Sequence, residues 1–203
     1  TALTAIAALS LGVLTAAPAA AQAYPSKTVR IVVPFPPGGS TDLLARRLGE
    51  KLSEKWKQTV IVENRAGAGG TVGADYVSKS EPDGHTLLLG VTGSNGIAGS
   101  LYPNLPYDMV KGFAPITVVV SAPLMIVKNP NVPAKTLQEL IAAARAKPAA
   151  MSYGSPGNGT SMHLTGEMFK LATKASFLHI PYRGSAGALA DTMGGQIDLM
   201  FGD

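Results

Sequence analysis

The chain contains no cysteine. Disulfides and thiolate catalysis are therefore excluded, and core packing alone must hold the fold. Charge is scarce too. Charged residues make up 15% of the 203 and hydrophobic residues 46%, a balance that supplies a real core and argues against disorder. From Thr1 to Ser26 there is no charged residue at all. Apolar residues dominate 2–17, but Pro18 breaks the run before the ~20 residues of a membrane span accumulate. With Ala21-Gln22-Ala23 behind it, this stretch reads as an export signal with a cleavage site, and a transmembrane anchor is the rival reading. The mature chain is expected to start at Tyr24. Because the charged start of such a signal and an initiator Met are missing, and a strand-like Ile197–Phe201 is followed only by Gly202-Asp203, a fragment truncated at both ends is expected.

Several enzyme signatures are missing as well. There is no G-x-x-x-x-G-K-[ST] phosphate loop and no Ser in G-x-S-x-G. The run Gly67-Ala68-Gly69-Gly70-Thr71-Val72-Gly73 resembles a dinucleotide fingerprint, but its third glycine falls one residue late and the next strand carries no acid. His85, His163 and His179 share no metal-ligand spacing. These absences lead to an expectation of no enzyme activity, no cofactor and no metal. The formal net charge is +4, with Arg46, Arg47, Lys51, Lys55 and Lys57 spread along one helix and Arg145 and Lys147 along another. That is a solvated face, not a nucleic-acid patch.

What is present is an alternation of strands, glycine-rich loops and helices. Strands are expected at 28–33, 59–62, 86–91, 116–120, 124–127, 151–153, 176–181 and 197–201. Between them Leu44, Leu48, Leu52 and Trp56 form one apolar helical stripe, and helices are expected at 71–78, 137–146 (capped by Thr136), 162–171 and 186–193. This order implies an α/β fold with mostly parallel sheets and helices on both faces, in which ligands sit at the carboxyl ends of strands.

Two loops run from such a strand end into the first turn of a helix. One holds Gly38, Gly39, Ser40, Thr41 and Asp42, the other Asn158, Gly159, Thr160 and Ser161. Unpaired N–H groups, the helix dipole and nearby hydroxyls suit a carboxylate held without a cationic side chain. Asp42 is either a capping residue or a direct contact to an amine. Arg183 is either a carboxylate partner or a solvated side chain. His163 either points into the cleft or packs and caps. Phe35, Thr92 and Ser94, in loops of the same kind, complete the candidate ligand-binding set with Gly38, Gly39, Ser40, Thr41, Asn158, Gly159, Thr160, Ser161 and Arg183.

Four motifs in order carry a family resemblance: Val32–Asp42, Val62–Gly70, Tyr153–Leu164 and Pro181–Gly184. Together they resemble the Bug family, the extracytoplasmic receptors of tripartite tricarboxylate transporters. The resemblance spans 24–203. It implies a two-lobed type 2 periplasmic-binding-protein fold, C-terminally truncated here, with a signal-peptide remnant at 1–23, lobe 1 at 24–121 and lobe 2 at 122–203. It further implies a periplasmic, monomeric receptor holding a small organic acid through loops 35–41 and 158–161, with ordered waters bridging, and docking on membrane permease subunits. A ligand-sensing protein presenting to a signalling partner is the alternative on the same fold.

Overall fold

The computed structural model describes residues 23–203, so the expected signal at 1–23 lies almost wholly outside the described residues. Two separate sheets organise the chain. The first holds β1 (Val29–Val33), β2 (Val60–Asn64) and β3 (Thr86–Leu88) in the order β2-β1-β3, all parallel. The central β1 is buried on both faces, with Val29, Ile31, Val32 and Val33 at 2% exposure or less. Such a position favours β-branched residues, and all of β1 except Arg30 is Val or Ile. Helix α1 (Ser40–Trp56) lays Leu44, Leu48 and Leu52 against this core. It ends at Lys57, which takes the left-handed conformation while its N–H donates to Ser53 O. Helix α2 (Thr71–Ser78) follows β2.

The second sheet holds β4 (Met125–Lys128), β5 (Ser152–Ser155), β6 (Leu178–Pro181) and β7 (Leu199–Gly202) in the order β4-β7-β5-β6. β5 pairs parallel with β6 and β7, and β4 runs antiparallel to β7. Helices α4 (Leu137–Ala146), α5 (Ser161–Thr173) and α6 (Ser185–Gly194) lie between these strands in sequence. The Thr136 side chain caps α4 by accepting the Glu139 N–H. Tyr153, Leu199, Phe177 and Phe201 form this half's core.

Two expectations are corrected by the structure. Residues 116–120 form no strand. Ile116 and Val118 are 79% and 83% exposed, and no described strand lies beside them to complete a ladder. Their β-branched side chains fit a strand, but strand formation needs a pairing partner. Residues 92–95, expected as a loop, open a wide helical turn at Gly93–Ile97 that leads into the short helix α3 (Ala98–Leu101). The strandless stretch between α3 and β4 contains the expected division at 121/122. No helix of the described residues is long and apolar enough to cross a membrane.

Candidate functional site

A cavity of about 920 Å³ opens between the two sheets, within the size range of small-molecule sites. One wall is apolar, built from Leu44, Leu89, Val91, Val118, Val120 and Met162. The polar side is formed by three helix N-termini. Gly39, Ser40 and Thr41 begin α1, Thr160 and Ser161 begin α5, and Gly184, Ser185 and Ala186 begin α6. No side chain caps α1 or α6, since Gly39 and Gly184 occupy their N-cap positions. Their first N–H groups therefore have no side-chain partner, and the helix dipoles add partial positive charge.

Eight of the expected site residues line this one cavity: Phe35, Gly39, Ser40, Thr41, Thr92, Thr160, Ser161 and Arg183. Both loops thus line one cavity, and glycines permit close approach of neighbouring segments beside each. A Cβ on Gly39 would lie 2.8 Å from Ser185 Oγ, and a Cβ on Gly69 would run into the Asn158 carbonyl oxygen. Arg183 is exposed, and among the described residues no carboxylate forms an ion pair with it. Asp203, at the end of β7, reaches in from the second sheet and accepts from Ser40 Oγ at 3.0 Å.

Four expected residues do not line the cavity. Gly38 donates its N–H inward to Asp42 Oδ2 at 3.0 Å, and Gly159 donates to His163 Nδ1 at 3.2 Å. Both hold positive φ, +94° and +79°, so glycine is needed there for the turn itself. Asn158 is exposed and directs its carbonyl at the Gly69 loop. Ser94 is fully buried, with its hydroxyl donating to Asn95 Oδ1 and its carbonyl accepting from the Tyr107 hydroxyl.

Asp42 resolves to a structural role. It is 2% exposed and also accepts from Arg46 Nε and Asn64 Nδ2. Burial pushes its pKa up, but the Arg46 guanidinium, the Gly38 amide and Asn64 together hold the carboxyl below its ordinary value. His163 likewise serves its own loop. Its partner ring His179 places Nε2 2.7 Å from Ser155 Oγ. That is a serine–histidine contact, but Ser155 is fully buried outside the cavity and its hydroxyl also engages the Gly157 N–H and carbonyl. It braces the loop.

Sequence reasoning missed the α6 N-terminus, Tyr182, Asp203 and the 117–122 wall. Ser185 follows a strand and a glycine, as Ser40 does, and that shared pattern was the available signal. The Tyr182 ring lines the cavity while its hydroxyl donates to Asp191 Oδ2 at 2.6 Å.

Two α/β halves flanking a cleft of helix N-termini are the architecture of solved periplasmic binding proteins. Residues 44–203 match the model of the tripartite tricarboxylate transporter family receptor, and the chain belongs to that family. It is similar to BugT of Bordetella pertussis, 42% identical over 183 residues that make up 90% of this chain and 56% of that protein. A protein of R. palustris solved with adipate superposes with a TM-score of 0.85 at 34% identity, covering 88% of this chain and 60% of that one. MatC from Rhodopseudomonas palustris with bound malate superposes with a TM-score of 0.83 at 31% identity, covering 88% and 61%. The chain thus spans a little over half the length of the curated relatives it matches.

Proposed function

We propose that this chain is the ligand-capturing part of a periplasmic receptor that binds a small dicarboxylate and delivers it to the permease of a tripartite tricarboxylate transporter. The observation that carries this reading is the convergence of three helix N-termini on one cavity. Such termini stabilise an anion through backbone amides, without a metal or a dedicated cationic side chain. Thr41 and Ser185 add hydroxyl donors at the same place, whereas the hydroxyls of Ser40, Thr160 and Ser161 already donate to Asp203, the Gly157 carbonyl and Met162 Sδ. The apolar wall suits the carbon chain between two acid groups, and the relatives solved with adipate and malate support the same class.

In this reading the protein binds and releases its ligand unchanged, acts as a monomer in the periplasm, and docks on membrane permease subunits. Arg183, exposed on the cavity lining and without an ion pair among the described residues, meets the second carboxylate. Calorimetric titration with adipate, malate and their diamides tests the assignment. The acids are expected to bind and the diamides to bind at least about tenfold more weakly, because a charged acceptor strengthens each hydrogen bond by roughly 1 kcal/mol or more. Equal affinity for acid and diamide would rule out anion capture.

A further inference from the structure

The two cavity loops are fastened by the same device. In each, a glycine N–H donates to a side chain four residues further on, in the first turn of the following helix. In the first loop Gly38 donates to the Asp42 carboxylate. In the second, Gly159 donates to Nδ1 of His163 at 3.2 Å. A backbone amide can only donate, so Nδ1 must present a lone pair and the ring must be neutral. A proton on Nδ1 would set donor against donor.

The His163 ring also stacks on His179, with centroids 4.3 Å apart. His179 contacts Ser155 Oγ, which in turn accepts the Gly157 N–H at 3.2 Å. Thr160 closes the loop by donating to the Gly157 carbonyl and accepting the His163 N–H. Both imidazoles thus hold the short segment that delivers Thr160 and Ser161 to the cavity. We infer that His163 and His179 form a proton-sensitive brace for the loop that opens α5, so that acidification loosens Thr160 and Ser161 and weakens ligand capture. The capture clause rests on the receptor reading above; the loosening does not.

The surroundings favour neutral rings. Burial is the largest influence on both and lowers both pKa values, that of His179 to about 4. Each proton would also face the other ring, and Lys170 opposes a positive charge on either. Glu167 favours protonation, but its carboxylate is engaged by the Tyr153 hydroxyl at 2.6 Å and by Lys170 at 2.9 Å. Tyr153, stacked on His179 at 4.8 Å, stays neutral because burial and Glu167 push its pKa up. Depressed histidine pKa values mean that folding stability falls once the pH drops below about 6.5, where the unfolded chain takes up the protons, while the rings of the folded loop lose their neutral, braced form only as the pH falls through their own lowered values.

The decisive experiment is an NMR titration of this chain without ligand, following the His163 and His179 ring protons and the Gly159 amide from pH 8 to pH 4. The Gly159 amide is expected to move along the same curve as the His163 ring, with a midpoint below 6.5. A Gly159 amide indifferent to that ring's titration would overturn the brace. Adipate titrations at pH 7.5 and pH 5 provide the second arm, comparing the unaltered chain with His163→Asn. Asparagine Oδ1 can accept the Gly159 N–H and does not titrate, while changes in adipate itself affect both proteins alike. Affinity is expected to fall roughly tenfold more in the unaltered chain, about one proton's worth over one pH unit. Matching pH profiles would overturn the inference. Failure of adipate to bind at either pH, with the coupled Gly159 titration present, would refute the adipate assignment and uphold the brace.

Discussion

The loop that opens α1 and the loop that opens α5 do one job with different chemistry. Both follow a buried parallel strand, turn on a glycine with positive φ, and present hydroxyls and helix amides to one cavity. The first is pinned by an ionised carboxylate, Asp42, tied to Arg46 and Asn64. The second is pinned by two neutral imidazoles, His163 stacked on His179 and His179 on Tyr153. The difference shows that a recurrent backbone geometry leaves the fastening side chain free, and on the brace inferred above that choice also sets the pH at which the loop fails. Asp42, with its lowered pKa, holds its loop until the pH drops below about 3.8. The histidine pair yields at a pH below the ordinary histidine value, about 4 for His179.

The comparison breaks most sharply at Asp42. Asp42→Ala leaves the Gly38 amide and Asn64 without their acceptor and Arg46 without its partner. A loss of about 2–3 kcal/mol in urea unfolding is expected, the cost of leaving the Gly38 amide and Asn64 without their acceptor, since Arg46 is half exposed and returns to solvent. A loss below about 1 kcal/mol would mean that the carboxylate does not fasten the loop. Thr160→Ala removes the α5 cap and the Gly157 contact and is expected to cost about 1–2 kcal/mol, with Thr160→Ser restoring most of it.

Acid sharpens the contrast. The unfolding free energy of the unaltered chain should fall between pH 6.5 and about 4, by at most about 1.4 kcal/mol per pH unit for each proton the unfolded chain takes up. His179→Phe, which keeps a stacked ring without a titrating group, should flatten that slope while the drop below pH 3.8 remains. The smallest expected effect is at Arg183. Because this side chain is exposed and forms no ion pair with a described residue, Arg183→Ala should leave urea stability within about 0.5 kcal/mol. Its cost in adipate affinity should be about 1 kcal/mol. Complete loss of binding in this variant would replace the helix-terminus account with an arginine clamp.

The parts of this architecture visible in the sequence were those set by local chemistry. Val29–Val33 is apolar enough to be buried on both faces, and Thr136 before an apolar stripe marks the start of α4. Ser40 and Ser161 stand out because hydroxyls follow glycines at helix starts. Features that depend on distant partners were hidden. Residues 116–120 have the composition of a strand and no neighbour to pair with. Gly38 and Gly159 look like places for ligand approach, but their amides are consumed by side chains four residues away, which only the folded turn reveals. Asp203 meets Ser40 across 163 residues of sequence, a contact no local pattern encodes.

The central claim is that helix N-termini from both halves hold one anion together. Amide shift mapping of this chain with adipate tests it most directly. The N–H signals of Ser40, Thr41, Ser161 and Ser185 are expected to move together and saturate at a single adipate concentration. Shifts confined to one half of the molecule, or to the neighbourhood of Arg183 alone, would contradict the account.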